Sequence, residues 1–194
     1  AYSPSRLIDK DIENKIIKKI INPTLQGLKE MGTVYKGFLY AGLMIVNSEP
    51  YLIEYNVRMG DPECQTILPR LKTDFMLVIN ACINQNLSSI DLDWYNDKSL
   101  CIVLCSKGYP DKYDNKIEIN NLEKIDLNKN DFIFHAGTEK IGDKVYSNGG
   151  RVLNFVVRSD TFKTSREKVI NLIKKINWTN GFYRKDIGFK VIDK

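Results

Sequence analysis

Features that announce a function outright are scarce. There is one histidine, His135, in 194 residues, and the four cysteines, Cys64, Cys82, Cys101 and Cys105, show no C-x-x-C spacing. A structural zinc site needs four nitrogen or sulfur ligands in closely spaced groups, so that class is set aside. Long apolar runs are also missing. The stretch 38–46 falls far short of the roughly 20 residues a spanning helix requires, and no charged-then-apolar leader opens the sequence. No internal repeat or low-complexity segment is visible. With reduced cysteines as the expected state, the setting implied is cytoplasmic.

What is present is an ordinary folding composition, 43% apolar and 27% charged. The net charge of +5 is spread among Asp, Glu and Asn instead of forming one basic block, which favours a solvated surface over a nucleic-acid patch. Apolar residues recur every three or four positions from Asp9 to Met31, among them Ile12, Ile16, Ile20 and Leu28. That spacing predicts an amphipathic helix capped by Asp9 or Asp11, kinked or broken near Asn22 by Pro23 and ended by Gly32. Strands are expected at 34–46 and 51–58, joined by a hairpin turn at 47–50. Asp61 and Pro62 suit the N-cap and first position of a short helix that Pro69 interrupts, and Thr73-Asp74 can start another running toward Leu87.

Beyond a polar connection at 88–98, with Leu92 and Trp94 as anchors, the pattern changes to short strands at 100–105, 116–119 and 132–136. Asn148-Gly149-Gly150 predicts a hairpin between 144–146 and 151–158. A final helix is expected at 164–176, and the aromatic tail 180–188 is expected to fold back onto the sheet. Cys101 and Cys105 share one strand face, as small buried thiols. His135, Trp94 and Trp178 are expected to be structural.

The chemistry concentrates on one strand. Side chains alternate, so Leu52, Glu54, Asn56 and Arg58 face one way while Tyr51, Ile53, Tyr55 and Val57 form an apolar face. A carboxylate and an amide oxygen suit a hard cation, and a guanidinium forks well onto phosphate. Taken alone, Glu-x-Asn-x-Arg is weak evidence, and a solvated strand face with a chance Glu and Arg explains it better. Gly60 and Asp61 follow at once, placing a tight turn, amide donors and a carboxylate beside that strand, which the solvated-face reading leaves unexplained.

The ordered run Leu52-Ile53-Glu54-Tyr55-Asn56-Val57-Arg58-Met59-Gly60-Asp61-Pro62-Glu63-Cys64-Gln65 resembles the signature of the phosphoribosylamine–glycine ligase family. The similarity extends to Ala1-Tyr2-Ser3-Pro4, Gly37-Phe38-Leu39-Tyr40-Ala41-Gly42-Leu43-Met44, Phe134-His135-Ala136-Gly137-Thr138, Ser147-Asn148-Gly149-Gly150-Arg151-Val152-Leu153 and Tyr183-Arg184-Lys185-Asp186-Ile187-Gly188. Met59, Val57 and Cys64 depart from the residues usual in that family, away from any proposed ligand.

This resemblance implies an α+β fold: the C-terminal half of an ATP-grasp module at 1–88, a linker at 89–98 and a small β-rich C-terminal domain at 99–194. It implies an ATP-binding, metal-dependent ligase of purine biosynthesis, whose partners are ATP, glycine and 5-phosphoribosylamine and which is a monomer when complete. Glu54 and Asn56 would hold Mg²⁺ or Mn²⁺, Arg58 would steady phosphoryl oxygens as the catalytic group, and Gly60 with Asp61 would hold substrate. Many ATP-grasp enzymes carry a further acidic ligand on the preceding strand, where this sequence has Gly42. The family's nucleotide-gripping portion is expected upstream of Ala1. The rival readings are another ATP-grasp carboxylate–amine ligase, which would lack the Gly-Asp-Pro-Glu run, and a noncatalytic assembly or nucleic-acid-binding module, against which Glu54, Asn56 and Arg58 argue.

Overall fold

The computed structural model describes residues 1–192. In chain order its elements are β1 (Tyr2–Ser3), α1 (Lys10–Ile16), a π-helical turn (Ile17–Ile21), α2 (Asn22–Glu30), β2 (Tyr40–Val46), β3 (Glu49–Asn56), α3 (Glu63–Ile67), a 3₁₀ turn (Leu68–Arg70), α4 (Phe75–Ile83), β4 (Lys98–Ser106), β5 (Glu118–Ile119), β6 (Asp131–His135), β7 (Thr138–Ile141), β8 (Lys144–Ser147), β9 (Arg151–Ser159), α5 (Phe162–Ile173), β10 (Gly181–Phe182) and α6 (Phe189–Ile192). Helix and strand are both substantial, as the α+β expectation required. Two compact units divide the described residues: 5–61 with 71–94, and 1–4 with 62–70 and those from 95 onward. The chain therefore passes between units four times, where the sequence reading placed one passage at 89–98. Segments near the N-terminus and around α3 join the later residues because β1 pairs with β4 and α3 packs on β1 and β4.

In the first unit, the Asp9 carboxylate accepts from the Ile12 N–H at 2.8 Å and starts α1. Near Asn22 the α-helical repeat is interrupted: just before Pro23 the helix widens into the π turn, where the Asn22 N–H reaches back five residues to the Ile17 carbonyl. Proline removes a donor and crowds the carbonyl four residues back, and a wider turn relieves both. At the far end Gly32 takes φ +80°, and the Gly32 and Thr33 amides bond back to the Lys29 and Leu28 carbonyls at 3.0 and 2.9 Å. β2 begins at Tyr40, six residues later than expected. Asn47 and Ser48, both with positive φ of 51° and 60°, make a two-residue turn into β3, the pairing of torsions that matches strand twist. Asp74 caps α4 through the Met76 amide at 2.8 Å, and that helix stops at Ile83 instead of continuing toward Leu87.

The second unit is a sheet in the order β1-β4-β9-β6, with β10 also on β4, all antiparallel. Leu100, Ile102, Leu153, Phe155 and Val157 pack with Val169 and Ile173 of α5 into a core from which water is excluded. Thr161 caps α5 through the Thr164 amide at 3.1 Å. Trp178 joins this core, and the tail folds back through β10 as expected, with Tyr183 and Ile187 against the cluster. Cys101 is buried. Cys105 is half-buried, and burial pushes its thiol above the usual range despite Arg151 nearby. The Asn148-Gly149-Gly150 hairpin is a correction. β8 pairs with β5 and β7, while β9 pairs with β4 and β6, so that turn carries the chain from one sheet into another. The hairpin lies one turn earlier, at Gly142-Asp143, and uses a strand, β7, that the sequence reading missed.

Candidate cation and phosphate site

All five candidate site residues fall in the first unit. β2 and β3 form a two-stranded antiparallel ladder whose register shifts between Gly42 and Leu43: Gly42 faces Glu54, whereas Leu43 faces Leu52. Ile53 is the extra residue, a β-bulge, and it interrupts simple alternation along β3. The expected apolar face therefore does not form a packed surface. Tyr51, Ile53 and Val57 are exposed, and only Tyr55 is half-buried, its hydroxyl 2.6 Å from Thr24 Oγ1 and 3.3 Å from the Ile20 carbonyl.

Beyond the bulge, alternation resumes, so Glu54 and Asn56 flank Tyr55 and face away from its contact. They are brought together: Asn56 Nδ2 donates to Glu54 Oε1 at 3.1 Å. Glu54 borders an open depression of about 450 Å³ walled by Gly42, Leu43 and Ile53 with Ser5 and Ile8. A methyl group placed on Gly42 would approach Glu54 Cγ to 3.1 Å, tighter than a comfortable contact. A side chain at this position would have to push the Glu54 Cγ back by a few tenths of an ångström.

Two sequence expectations change. Strand β3 ends at Asn56, so Arg58 lies beyond it in a bend, exposed, with Nη1 donating to the Met59 carbonyl at 3.0 Å. It does not share the strand face of Glu54 and Asn56. Asp61 is not the cap of the following helix. That helix opens at Glu63 with Pro62 in the cap position and no side-chain cap, while Asp61 sits in the preceding turn beside a buried Gly60. His135, exposed at the end of its strand, lies with Nδ1 2.9 Å from Thr138 Oγ1.

Among the described residues, no group of three or more His, Cys, Asp or Glu side chains converges as a metal cage. The Glu54–Asn56 pair nevertheless fits one kind of ion. A hard divalent cation such as Mg²⁺ is commonly held by one or two protein oxygens and completes its octahedron with water and phosphate. Glu54 and Asn56, touching and open on one side, offer such a pair once the amide turns its oxygen outward. A soft metal that wants sulfur and imidazole finds nothing here. Arg70, by contrast, belongs to the second unit, where burial pulls its guanidinium below the ordinary value and its donors go to Ser3 Oγ and the Asp97 and Tyr95 carbonyls.

Residues 1–64, which include the hairpin, match the ATP-grasp (A) domain of phosphoribosylglycinamide synthetase, and residues 99–190 match the C domain of the same synthetase. The segment that carries the hairpin is therefore of the ATP-grasp class. Two relatives named phosphoribosylamine–glycine ligase, from Fusobacterium nucleatum and Caldanaerobacter subterraneus, are 45% and 43% identical over 96% and 97% of this chain. A crystal structure of phosphoribosylamine–glycine ligase from Thermotoga maritima superposes with a TM-score of 0.80 at 31% identity, covering 96% of this chain and 45% of that one. The chain belongs to the phosphoribosylglycinamide synthetase family. It spans 44% of the length of each of the two curated relatives.

Proposed function

We propose that this chain supplies the cation-and-phosphate part of an ATP-dependent ligase that joins glycine to 5-phosphoribosylamine, giving glycinamide ribonucleotide, ADP and phosphate. The observation that carries the proposal is the Glu54–Asn56 pair, side chains 3.1 Å apart with Glu54 bordering a depression, within a segment matched by an ATP-grasp family model. In this reading a glycine carboxylate oxygen attacks the γ-phosphorus of ATP as the bond to ADP breaks, forming glycyl phosphate. The amine of phosphoribosylamine then attacks the glycyl carbonyl, phosphate leaves, and the amine sheds a proton.

A divalent cation, Mg²⁺ or Mn²⁺, would offset phosphate charge during transfer. Glu54 and Asn56 would hold it, with the carboxylate contributing charge as well as an oxygen. Arg58, exposed and bonded only to a neighbouring carbonyl, is free to swing its fork onto phosphoryl oxygens. Gly60 brings backbone close, and Asp61 would engage the substrate amine. Residues 1–88 are read as the second half of an ATP-grasp module, of which 1–4 and 62–70 pack among the later residues, 89–98 as linker and 99–194 as the C-terminal domain, acting in the cytoplasm in a protein that is a monomer when complete. Among the described residues no helix is long and apolar enough to cross a membrane.

The test supplies ATP, Mg²⁺, glycine and freshly generated phosphoribosylamine to this chain alone, then to the chain joined behind the upstream portion of the Fusobacterium relative. Positioning supplies much of the rate in such transfers, so the joined protein should release ADP in a glycine-dependent way and the chain alone should not. A joined protein that folds yet shows no glycine-dependent turnover would count against the assignment.

A further inference from the structure

Two tethers hold strand β3 to the first helical stretch. At the turn end, Glu49 accepts from Lys15 Nζ and from Lys19 Nζ, the latter at 2.6 Å. At the site end, Tyr55 Oη meets Thr24 Oγ1 at 2.6 Å, and Thr24 Oγ1 in turn donates to the Ile20 carbonyl at 2.8 Å. In an unbroken α-helix the line through positions 15 and 19 continues to 23, which is Pro23 and has no polar side chain. The π turn at Ile17–Ile21 adds one residue to that repeat, so the line from Lys19 continues to Thr24. The wide turn thus does more than relieve the proline. It brings a hydroxyl to the one aromatic side chain that lies between the two cation-donor residues.

We infer that Tyr55 and Thr24 are positioning residues for the Glu54–Asn56 pair, an inference that rests on the cation-site reading proposed above. A side chain pinned on one face of a strand fixes the rotation of that strand about its axis, and the neighbouring side chains on the other face turn with it. Free rotation of the Tyr55 ring edge would let Glu54 and Asn56 splay from the shared point at which both oxygens reach one ion. Supporting bonds behind a metal ligand commonly alter affinity by about 10- to 100-fold. The hydroxyl is the part that matters, because a phenylalanine would keep the ring packing and lose the tether.

The experiment follows the Asn56 side-chain amide signals of this 194-residue chain by NMR, first without metal and then during titration with Mn²⁺, using Glu54→Gln as the reference for site-dependent broadening. Tyr55→Phe and Thr24→Val should each weaken Glu54-dependent broadening by roughly tenfold, and the double variant should weaken it no further. Thr24→Ser should behave as the parent. Without metal, both single variants should move the two Asn56 amide proton signals toward the positions of a freely solvated Asn amide while the α5 and β9 amide shifts stay in place. Parent-like Mn²⁺ broadening and an unmoved Asn56 signal in both single variants would overturn the inference. If the parent shows no Glu54-dependent broadening, the cation reading fails, and the metal-free Asn56 signals alone then decide for or against the tether.

Discussion

The Arg158 guanidinium carbon lies 3.5 Å from the centroid of the Tyr95 ring, so the cation rests on the aromatic face within the second unit. Arg158 is almost wholly buried, and it also donates to the Pro69 carbonyl at 2.9 Å and Asn130 Oδ1 at 2.7 Å while its Nε lies 3.3 Å from Asp97. One side chain thereby ties together β9, the loop before β6, the 3₁₀ turn at Leu68–Arg70 and the segment entering β4. A planar fork both stacks and bonds sideways, which an ammonium group cannot do.

Removing that fork should therefore be costly. Arg158→Ala is expected to destabilise the chain by about 3 kcal/mol, since Asp97 and two oxygens lose their partner in a buried setting. Arg158→Lys should recover less than half. Urea unfolding followed by near-ultraviolet circular dichroism measures both, and a loss under 1 kcal/mol for the alanine variant would show that water replaces the arginine freely.

Two apolar truncations should differ sharply. Phe155→Ala opens a cavity in the fully buried core between β9 and α5 and should cost about 3–5 kcal/mol. Val57→Ala, at a side chain 73% exposed, should stay within about 0.5 kcal/mol. Comparable losses at the two positions would mean that Val57 is covered in solution.

Acid should act through Glu49. Its bond to Lys15, with that to Lys19 next, holds its carboxyl at about 2, below the ordinary 4.5. A carboxylate whose value is depressed on folding contributes stability above its unfolded value and loses it as pH falls through the folded one, so this contribution is full near pH 5 and fades between pH 4.5 and 2. Glu49→Gln should narrow the difference in unfolding midpoint between pH 6 and pH 2.5, and 1 M salt should shrink the parent's advantage because the pair is exposed. Carbon-13 NMR titration of the Glu49 carboxyl gives the direct check; a midpoint near 4.5 would contradict the double clamp.

In a complete, active protein, Glu54→Ala should reduce turnover by roughly a hundredfold and Asn56→Ala by about tenfold, because only the carboxylate would add charge to the proposed cation site. Raising Mg²⁺ should recover part of the Asn56→Ala loss. Steady-state ADP release against Mg²⁺ concentration separates the two, and near-normal turnover of Glu54→Ala at ordinary Mg²⁺ would remove it from the site.

The helices were legible because their starts are written locally. Asp9 and Asp74 carry the cap in a single side chain, and the periodic Ile and Leu positions follow directly. Val169 and Ile173 likewise show their buried face in their spacing. The departures arise where a strand's neighbour decides. The bulge at Ile53 depends on how β3 meets β2, and nothing within Leu52-Ile53-Glu54 announces it. Asn148-Gly149-Gly150 has the torsional freedom of a hairpin turn, but its flanking strands find their partners elsewhere. Glu54 and Asn56 could be paired from sequence because they lie on the same side of that bulge. Arg58 could not be placed, since the strand ends two residues before it.

The extra residue at Ile53 also divides the hairpin into two segments with separate phase. Between the Asn47-Ser48 turn and the bulge, facing pairs such as Met44 with Tyr51 follow one frame, and beyond it Gly42 with Glu54 and Tyr40 with Asn56 follow another. A slip of pairing that starts at the turn can be absorbed at the bulge before it reaches Glu54. The frame in which Glu54 and Asn56 face β2 is thus set on the far side of the bulge from the turn, and Glu49, clamped by Lys15 and Lys19, fixes the turn end separately.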